Sequence, residues 1–297
     1  MRPSFEADMP IIYNPTPMVT LGLVQMAASA DTAQNLEKAL ALVRRAARGG
    51  AKIVCLPELF RSRYFPQTRR ADKRRYAESV PGETTRAFCR LAREFGVAVV
   101  VPLYERTREG RLFNSAVVAD ADGRLLGTYR KLHIPHDPLF YEQDYFRKGD
   151  RGFRVFKTRF ASFSVLICFD QWFPEAARAC ALKGAELLFY PTAIGDIAGH
   201  RPKEGDWRDS WVTIQRSHAI ANSVHVAAVN RTGREGRLKF WGSSFVADAF
   251  GKVVKSASKD REEVLLCPVD LAKNRSVREG WGFMRNRRPD CYGGLVR

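Results

Sequence analysis

The chain has 297 residues, 45% hydrophobic and 27% charged, with 49 Lys and Arg against 32 Asp and Glu for a formal net charge of +17. That length and apolar share suit one large α/β domain or two ordinary ones and exclude disorder as the main state. The longest apolar stretches, such as Val97 to Leu103 and Val224 to Val229, fall far short of the ~20 residues a membrane helix needs, so no membrane span is expected.

Residues 1–18 read as an N-terminal extension. They contain Glu6 and Asp8 and lack a positive-then-apolar signal pattern, which makes a cytoplasmic location the expectation. Cys55, Cys89, Cys168, Cys180, Cys267 and Cys291 stand far apart without C-x-x-C spacing, so neither a disulfide framework nor a zinc ribbon is indicated. The positive charge invites a nucleic-acid reading. Seven of the basic residues lie between Arg61 and Arg75 and seven between Lys273 and Arg297, while the rest alternate with Glu and Asp. Basic runs need aromatic interleaving or a recognised module to bind specifically, so no nucleic-acid partner is expected.

In chain order, Thr20 to Ala27 reads as a strand and Asp31 to Arg48 as a helix, with Leu36, Leu40, Val43 and Ala47 on one face and Gly49 as its stop. A buried strand at Ile53 to Leu56 and a helix at Thr84 to Phe95 follow, then strands at Val97 to Tyr104, Ser115 to Ala119 and Leu125 to Tyr129. The order then begins again: strand Phe163 to Cys168, helix Pro174 to Lys183, strand Leu187 to Tyr190, helix Ser210 to Asn222, and strands His225 to Asn230, Ser244 to Ala247 and Val253 to Ser256. The recurrence is visible residue by residue. Gly50-Ala51-Lys52-Ile53-Val54-Cys55-Leu56-Pro57-Glu58 matches Gly184-Ala185-Glu186-Leu187-Leu188-Phe189-Tyr190-Pro191-Thr192 in type, and the turn at Val118 to Leu125 matches that at Val246 to Val253.

Strands joined through helices run parallel, and each half then carries helices on one face of its sheet. Packing the two bare faces together predicts an α/β fold, a four-layer α-β-β-α sandwich with an internal pseudo-twofold repeat, as a single domain over 19–270. Residues 271–297 include Trp281, Phe283, Met284 and Tyr292, too apolar for a free tail, so this segment is expected to pack on the body or on a neighbouring subunit.

In such sheets, functional side chains collect beyond the carboxyl ends of strands. Three reactive groups fall there: Glu58, Lys131 and Cys168. A carboxylate to take a thiol proton, a thiolate to attack a carbonyl and an ammonium to stabilise the oxyanion make a complete kit for acyl transfer. Singly, each is more often a core thiol or a solvated charge. The second half, however, has Thr192 where the first has Glu58, and Ser256 or Ala257 where the first has Lys131, which argues against a purely architectural role.

The blocks Leu56-Pro57-Glu58-Leu59-Phe60, Tyr129-Arg130-Lys131-Leu132-His133-Ile134-Pro135 and Cys168-Phe169-Asp170-Gln171-Trp172-Phe173-Pro174-Glu175 resemble the three catalytic blocks of the nitrilase (carbon–nitrogen hydrolase) superfamily, in its order Glu, Lys, Cys. The runs Asp137 to Glu142, Phe189 to Gly195 and Gln215 to Asn222 are similar to the N-carbamoylputrescine amidase subgroup, and the likeness spans roughly Val19 to Asp290. The resemblance implies Cys168 as nucleophile, Glu58 as general base, Lys131 with the Phe169 N–H at the oxyanion, and Glu142 as a second active-site glutamate orienting Lys131 or the substrate nitrogen. It implies a small carbamoyl amine as substrate, no metal, no organic cofactor, and assembly into a homo-oligomer, a dimer or larger. Phe169 stands where that subgroup commonly has tryptophan, a difference that bears on pocket shape.

The substrate pocket is expected to draw on Phe169, Trp172, Tyr64, Asp137 and Thr192, with packing as the plain alternative for Trp172 and Tyr64. A cationic substrate needs a carboxylate beyond the scissile group, for which Asp137, Asp170 and Asp196 are candidates. A carbamoyl β-amino acid would instead need an arginine. His133 and His136 are read as loop hydrogen-bonding residues, and Cys55 and Cys180 as core.

Overall fold

The computed structural model describes residues 18–200 and 202–296, so the expected extension at 1–18 lies all but entirely outside the described residues. The first half comprises β1 (Val19–Gln25), α1 (Thr32–Arg48), β2 (Ile53–Cys55), α2 (Glu83–Phe95), β3 (Ala98–Arg106), β4 (Leu112–Ala119) and β5 (Leu125–Arg130). The second comprises β6 (Phe156–Lys157), β7 (Ser162–Val165), α3 (Pro174–Leu182), β8 (Leu187–Thr192), α4 (Trp207–Asn222), β9 (His225–Asn230), β10 (Phe245–Ala247) and β11 (Val253–Ser256). Two elements follow both halves, β12 (Glu263–Val269) and α5 (Ala272–Trp281).

Two six-stranded sheets result, ordered β12-β1-β2-β3-β4-β5 and β11-β10-β9-β8-β7-β6. β1, β2 and β3 run parallel and are followed by the antiparallel pair β4 and β5. β7, β8 and β9 repeat that arrangement with β10 and β11. The repeat reaches backbone geometry: Gly50 and Gly184, just past equivalent helices, both take φ +93°, a conformation open to glycine and costly for other residues. The matched turns also close alike, with the Gly123 and Gly251 N–H groups donating at 2.8 Å to the carbonyls of Asp120 and Asp248.

Side-chain alternation explains the layers. Leu21, Leu23, Ile53, Cys55, Ala98 and Val100 join Phe163, Val165, Leu187 and Phe189 of the second sheet in one core, to which α3 and α4 add Ala176, Cys180 and Trp211. The intervening Val24, Val54, Val99 and Val101 pack outward on Leu36, Val43, Phe88 and Leu91 of α1 and α2. Both faces of the sheet are buried, which is why its strands read as nearly unbroken apolar runs. Gly22 lets α1 approach closely, since a Cβ there would lie 3.0 Å from that of Ala46 and 3.1 Å from that of Ala51. The helix–sheet–sheet–helix stack is the expected four-layer sandwich. Cys55 and Cys180 are fully buried in it.

Several elements were not expected. β12 runs antiparallel to β1, from Val19 opposite Val269 to Gln25 opposite Glu263. A small sheet of Gly195–Ile197, Leu238–Trp241 and Thr232–Glu235 rises beside the second sheet. Its glycine- and arginine-rich turn carries no apolar alternation to announce it. α5 is tied down by Asn274, whose Oδ1 meets His225 Nδ1 at 2.7 Å and whose Nδ2 donates to the Glu186 carbonyl at 2.7 Å. Beyond it, Trp281 is 60% exposed and its ring lies 5.2 Å from that of Phe250 and 5.7 Å from that of Phe283. Among the described residues no helix is long and apolar enough to cross a membrane.

Asn274→Ala leaves a buried imidazole and a carbonyl without their partner. Denaturant unfolding is expected to show a loss of about 1–3 kcal/mol, and an unchanged midpoint would mean that α5 is not anchored through this side chain.

Candidate active site

Glu58 lies three residues beyond β2, Lys131 directly follows β5, and Cys168 lies three residues beyond β7. Glu142 opens a single 3₁₀ turn, Glu142–Asp144. The fold brings these four together. Lys131 Nζ donates to Glu58 Oε1 at 2.8 Å and to Glu142 Oε1 and Oε2 at 2.8 and 2.7 Å, and all three side chains have zero exposure. Asn114 on β4 donates through Nδ2 to Glu58 Oε1 at 2.7 Å and to Glu142 Oε2 at 3.4 Å, and the Tyr64 hydroxyl donates to Glu142 Oε1 at 2.7 Å. Glu58 Oε2 is buried with no hydrogen-bond partner among the described residues.

Three charges without water are tolerable only because each pairs with another, since an unpaired buried charge costs several kcal/mol. Burial works against the Lys131 ammonium, but Glu142, Glu58 and Cys168 outweigh it and hold its pKa above the ordinary lysine value. Burial, with Glu58 adding and Lys131 opposing, pushes Glu142 up to about 7. Burial also raises the Cys168 thiol well above its usual value; Glu58 adds to this and Lys131 counters it, so the resting sulfur is a thiol and needs a base before it can attack.

Cys168 begins a 3₁₀ turn, Cys168–Trp172, with φ +44°, in the sparsely populated left-handed region. Asp170 holds that turn. Its carboxylate accepts from the Ile167 N–H at 2.8 Å, the Tyr129 hydroxyl at 2.7 Å and the His133 N–H at 3.1 Å, and pairs with His133 Nδ1 at 2.7 Å. His133 thus has a hydrogen-bonding role, as expected, with its partner in the cysteine turn, and stacks on Phe173 at 3.7 Å. Gln171 fastens the turn to α4, its Oε1 accepting from Trp211 Nε1 at 2.8 Å and its carbonyl meeting His218 Nε2 at 2.7 Å. The loop bearing Glu58 is held across the two halves: Arg231 donates to the carbonyls of Leu59 and Ser62 at 3.1 and 2.9 Å, and Glu235 accepts from the Tyr64 N–H.

A cavity of about 650 Å³ reaches this centre, walled by Cys168, Glu142, Phe140, Phe169, Trp172 and Ala193, with Asp137, His200, Glu204, Trp207 and Arg237 nearer solvent. Of the expected substrate contacts, Phe169, Trp172 and Asp137 line it. Tyr64 and Thr192 do not: Tyr64 is fully buried behind Glu142, and the Thr192 hydroxyl turns to the Tyr190 carbonyl at 2.9 Å and Gln171 Oε1 at 3.4 Å. Asp170 is consumed by the cysteine turn, and Asp196 is absent from the lining. Asn114, Glu204, Trp207 and Arg237 were not foreseen. Asn114 left a faint signal as a polar residue opening an apolar strand, and the other three lie outside any apolar pattern. Of the early basic run, Arg61 pairs with Glu78 and Glu83, and Arg69 with Asp144. No group of three or more His, Cys, Asp or Glu side chains among the described residues is disposed to hold a metal ion.

The set can deprotonate a thiol and stabilise an oxyanion. Asp170→Asn turns an acceptor of four hydrogen bonds into a mixed donor and acceptor. Unfolding is expected to show a loss of about 2–4 kcal/mol with collapse of activity, and retention of both would sink the role given to Asp170.

The carbon-nitrogen hydrolase family profile matches residues 20–279. Over 94% of its length the chain is 43% identical to an N-carbamoylputrescine amidase of Solanum lycopersicum, 95% of which is covered. It is also 36% identical, over 94% of its length, to a citrullinase of Francisella tularensis subsp. tularensis, 98% of which is covered. Among solved structures, a carbon-nitrogen hydrolase from Helicobacter pylori G27 superposes with a TM-score of 0.90 at 39% identity, covering 95% of this chain and 99% of that one. The family profile, the sequence identity and the fold agree: the chain belongs to the carbon-nitrogen hydrolase family.

Proposed function

We propose that the protein is a thiol amidohydrolase that removes the carbamoyl group of N-carbamoylputrescine, yielding ammonia, carbon dioxide and putrescine. The charge pattern of the cavity carries this reading. A chain of net charge +17 repels a cation at long range, so a cationic substrate needs carboxylates at the entrance. The rim has two, Asp137 and Glu204, against one arginine, Arg237. The likeness to the Solanum amidase supports the same substrate. The likeness to the citrullinase, together with Arg237, supports a second reading: a carbamoyl amine that also bears a carboxylate.

In the proposed reaction Glu58 takes the Cys168 proton through its unpartnered Oε2, and the sulfur attacks the ureido carbon. The oxyanion is met by Lys131 Nζ and the Phe169 N–H. The bond to the terminal nitrogen breaks, and ammonia leaves with the proton returned by Glu58. Water, deprotonated by Glu58, attacks the carbamoyl thioester. The C–S bond breaks, the thiol regains its proton, and the released carbamate loses carbon dioxide in solution. Glu142 holds Lys131 throughout. Assembly with further copies of this chain belongs to the same proposal, with the exposed Trp281 stack as the apolar surface to be covered.

Ammonia release is expected from N-carbamoylputrescine in preference to N-carbamoyl-β-alanine, and Cys168→Ala should abolish it. The reverse preference, or activity in Cys168→Ala, overturns the substrate or the mechanism respectively. The raised Glu142 also sets a pH dependence. As pH falls through about 7, this carboxylate takes up a proton and Lys131 loses one partner, so kcat/KM should fall on the acid side. Tyr64→Phe removes a hydrogen bond that favours the carboxylate and should move this limb to higher pH. A limb unmoved by Tyr64→Phe would assign it to another group.

A further inference from the structure

The cavity has a second built feature, distant in sequence from the catalytic blocks. Glu204 Oε1 accepts from Trp207 Nε1 at 2.7 Å, and the backbone of Glu204 and Lys203 also hydrogen-bonds to this exposed carboxylate, which holds it beside the indole on the solvent side of the cavity. Both residues line the cavity that contains Cys168. The Trp207 ring stands 5.2 Å from that of His200, so one of its faces is packed. The carboxylate of Asp137, the other on the rim, makes no hydrogen bond or ion pair among the described residues.

The position of this pair is fixed relative to the nucleophile. Trp207 opens α4, capped by Asp206, whose carboxylate accepts from the Arg208 and Asp209 N–H groups at 2.8 and 3.0 Å. One turn on, Trp211 is fully buried and bonded at 2.8 Å to Gln171, three residues past Cys168. Residues four apart lie on one helix face, about 6 Å along the axis, so α4 is a rigid spacer from the cysteine turn to the Glu204–Trp207 pair. A fixed carboxylate beside an indole suits an ammonium, through a charge-assisted hydrogen bond and the ring's negative face.

Building on the function proposed above, we propose that Glu204, held by Trp207, receives the distal ammonium of the carbamoyl amine and selects amine-bearing ureas over neutral ones of the same length. The ureido carbon then lies at Cys168 and the alkyl chain runs past Trp172.

The test is steady-state ammonia release from N-carbamoylputrescine and from N-butylurea, which keeps the chain but lacks the amine, in wild type, Glu204→Gln and Asp137→Asn. Glu204→Gln should raise KM for N-carbamoylputrescine roughly tenfold to a hundredfold, keep kcat within about twofold, and leave N-butylurea hydrolysis unchanged. Asp137→Asn should have the smaller effect. A wild type that hydrolyses N-carbamoylputrescine, with Glu204→Gln unchanged in KM or impaired equally on both substrates, overturns this assignment while leaving the proposed function standing. A wild type that releases ammonia from neither substrate removes the functional reading itself.

Discussion

A buried ammonium between two carboxylates is the constraint on which the rest depends. Lys131 meets Glu58 and Glu142 with none of the three exposed, so water screens nothing and each charge is tolerable only while the others stay within hydrogen-bond distance. That demand fixes where the loops after β2 and β5 travel. It also explains the second ring of polar residues, Asn114 and Tyr64, which satisfy lone pairs that Lys131 cannot reach. The one carboxylate oxygen left over, Glu58 Oε2, is also the one with chemistry open to it.

The sandwich makes such a centre possible by burying both faces of its sheets, so that strand ends meet at the inner end of one cavity. Its pseudo-twofold repeat does not extend to the chemistry. Glu58 and Lys131 come from the first half and Cys168 from the second. Arg231 and Glu235, from the second half, hold the loop that carries Glu58 and Tyr64. Positioning therefore runs in both directions across the sheet-to-sheet core.

The architecture was legible because parallel strands buried on two faces leave unbroken apolar runs, and because the Gly50 and Gly184 segments repeat nearly residue for residue. Glu58, Lys131 and Cys168 were legible from their places past strand ends and from the catalytic blocks around them. β12 was missed because it pairs with a strand more than 200 residues earlier, which no local pattern records. Thr192 was read as a pocket residue and Tyr64 as either a pocket or a packing residue, and a side chain's direction depends on tertiary packing: Thr192 turns to Gln171 and Tyr64 backs Glu142. Glu204 and Arg237 lie in turns that only three-dimensional folding brings to the cavity. The basic excess proved least informative, with Arg61 and Arg69 paired to carboxylates.

The division of the reactive groups between two halves has a protective consequence. Packed together, the halves keep the sulfur protonated and surround it with its base and its cation. Separated by partial unfolding, the second half exposes a cysteine like any other, and the first exposes a carboxylate and a lysine with no thiol to activate. Activity is thus conditional on the packing of the two sheets against each other, so a chain in which that core is broken carries no half-formed hydrolase.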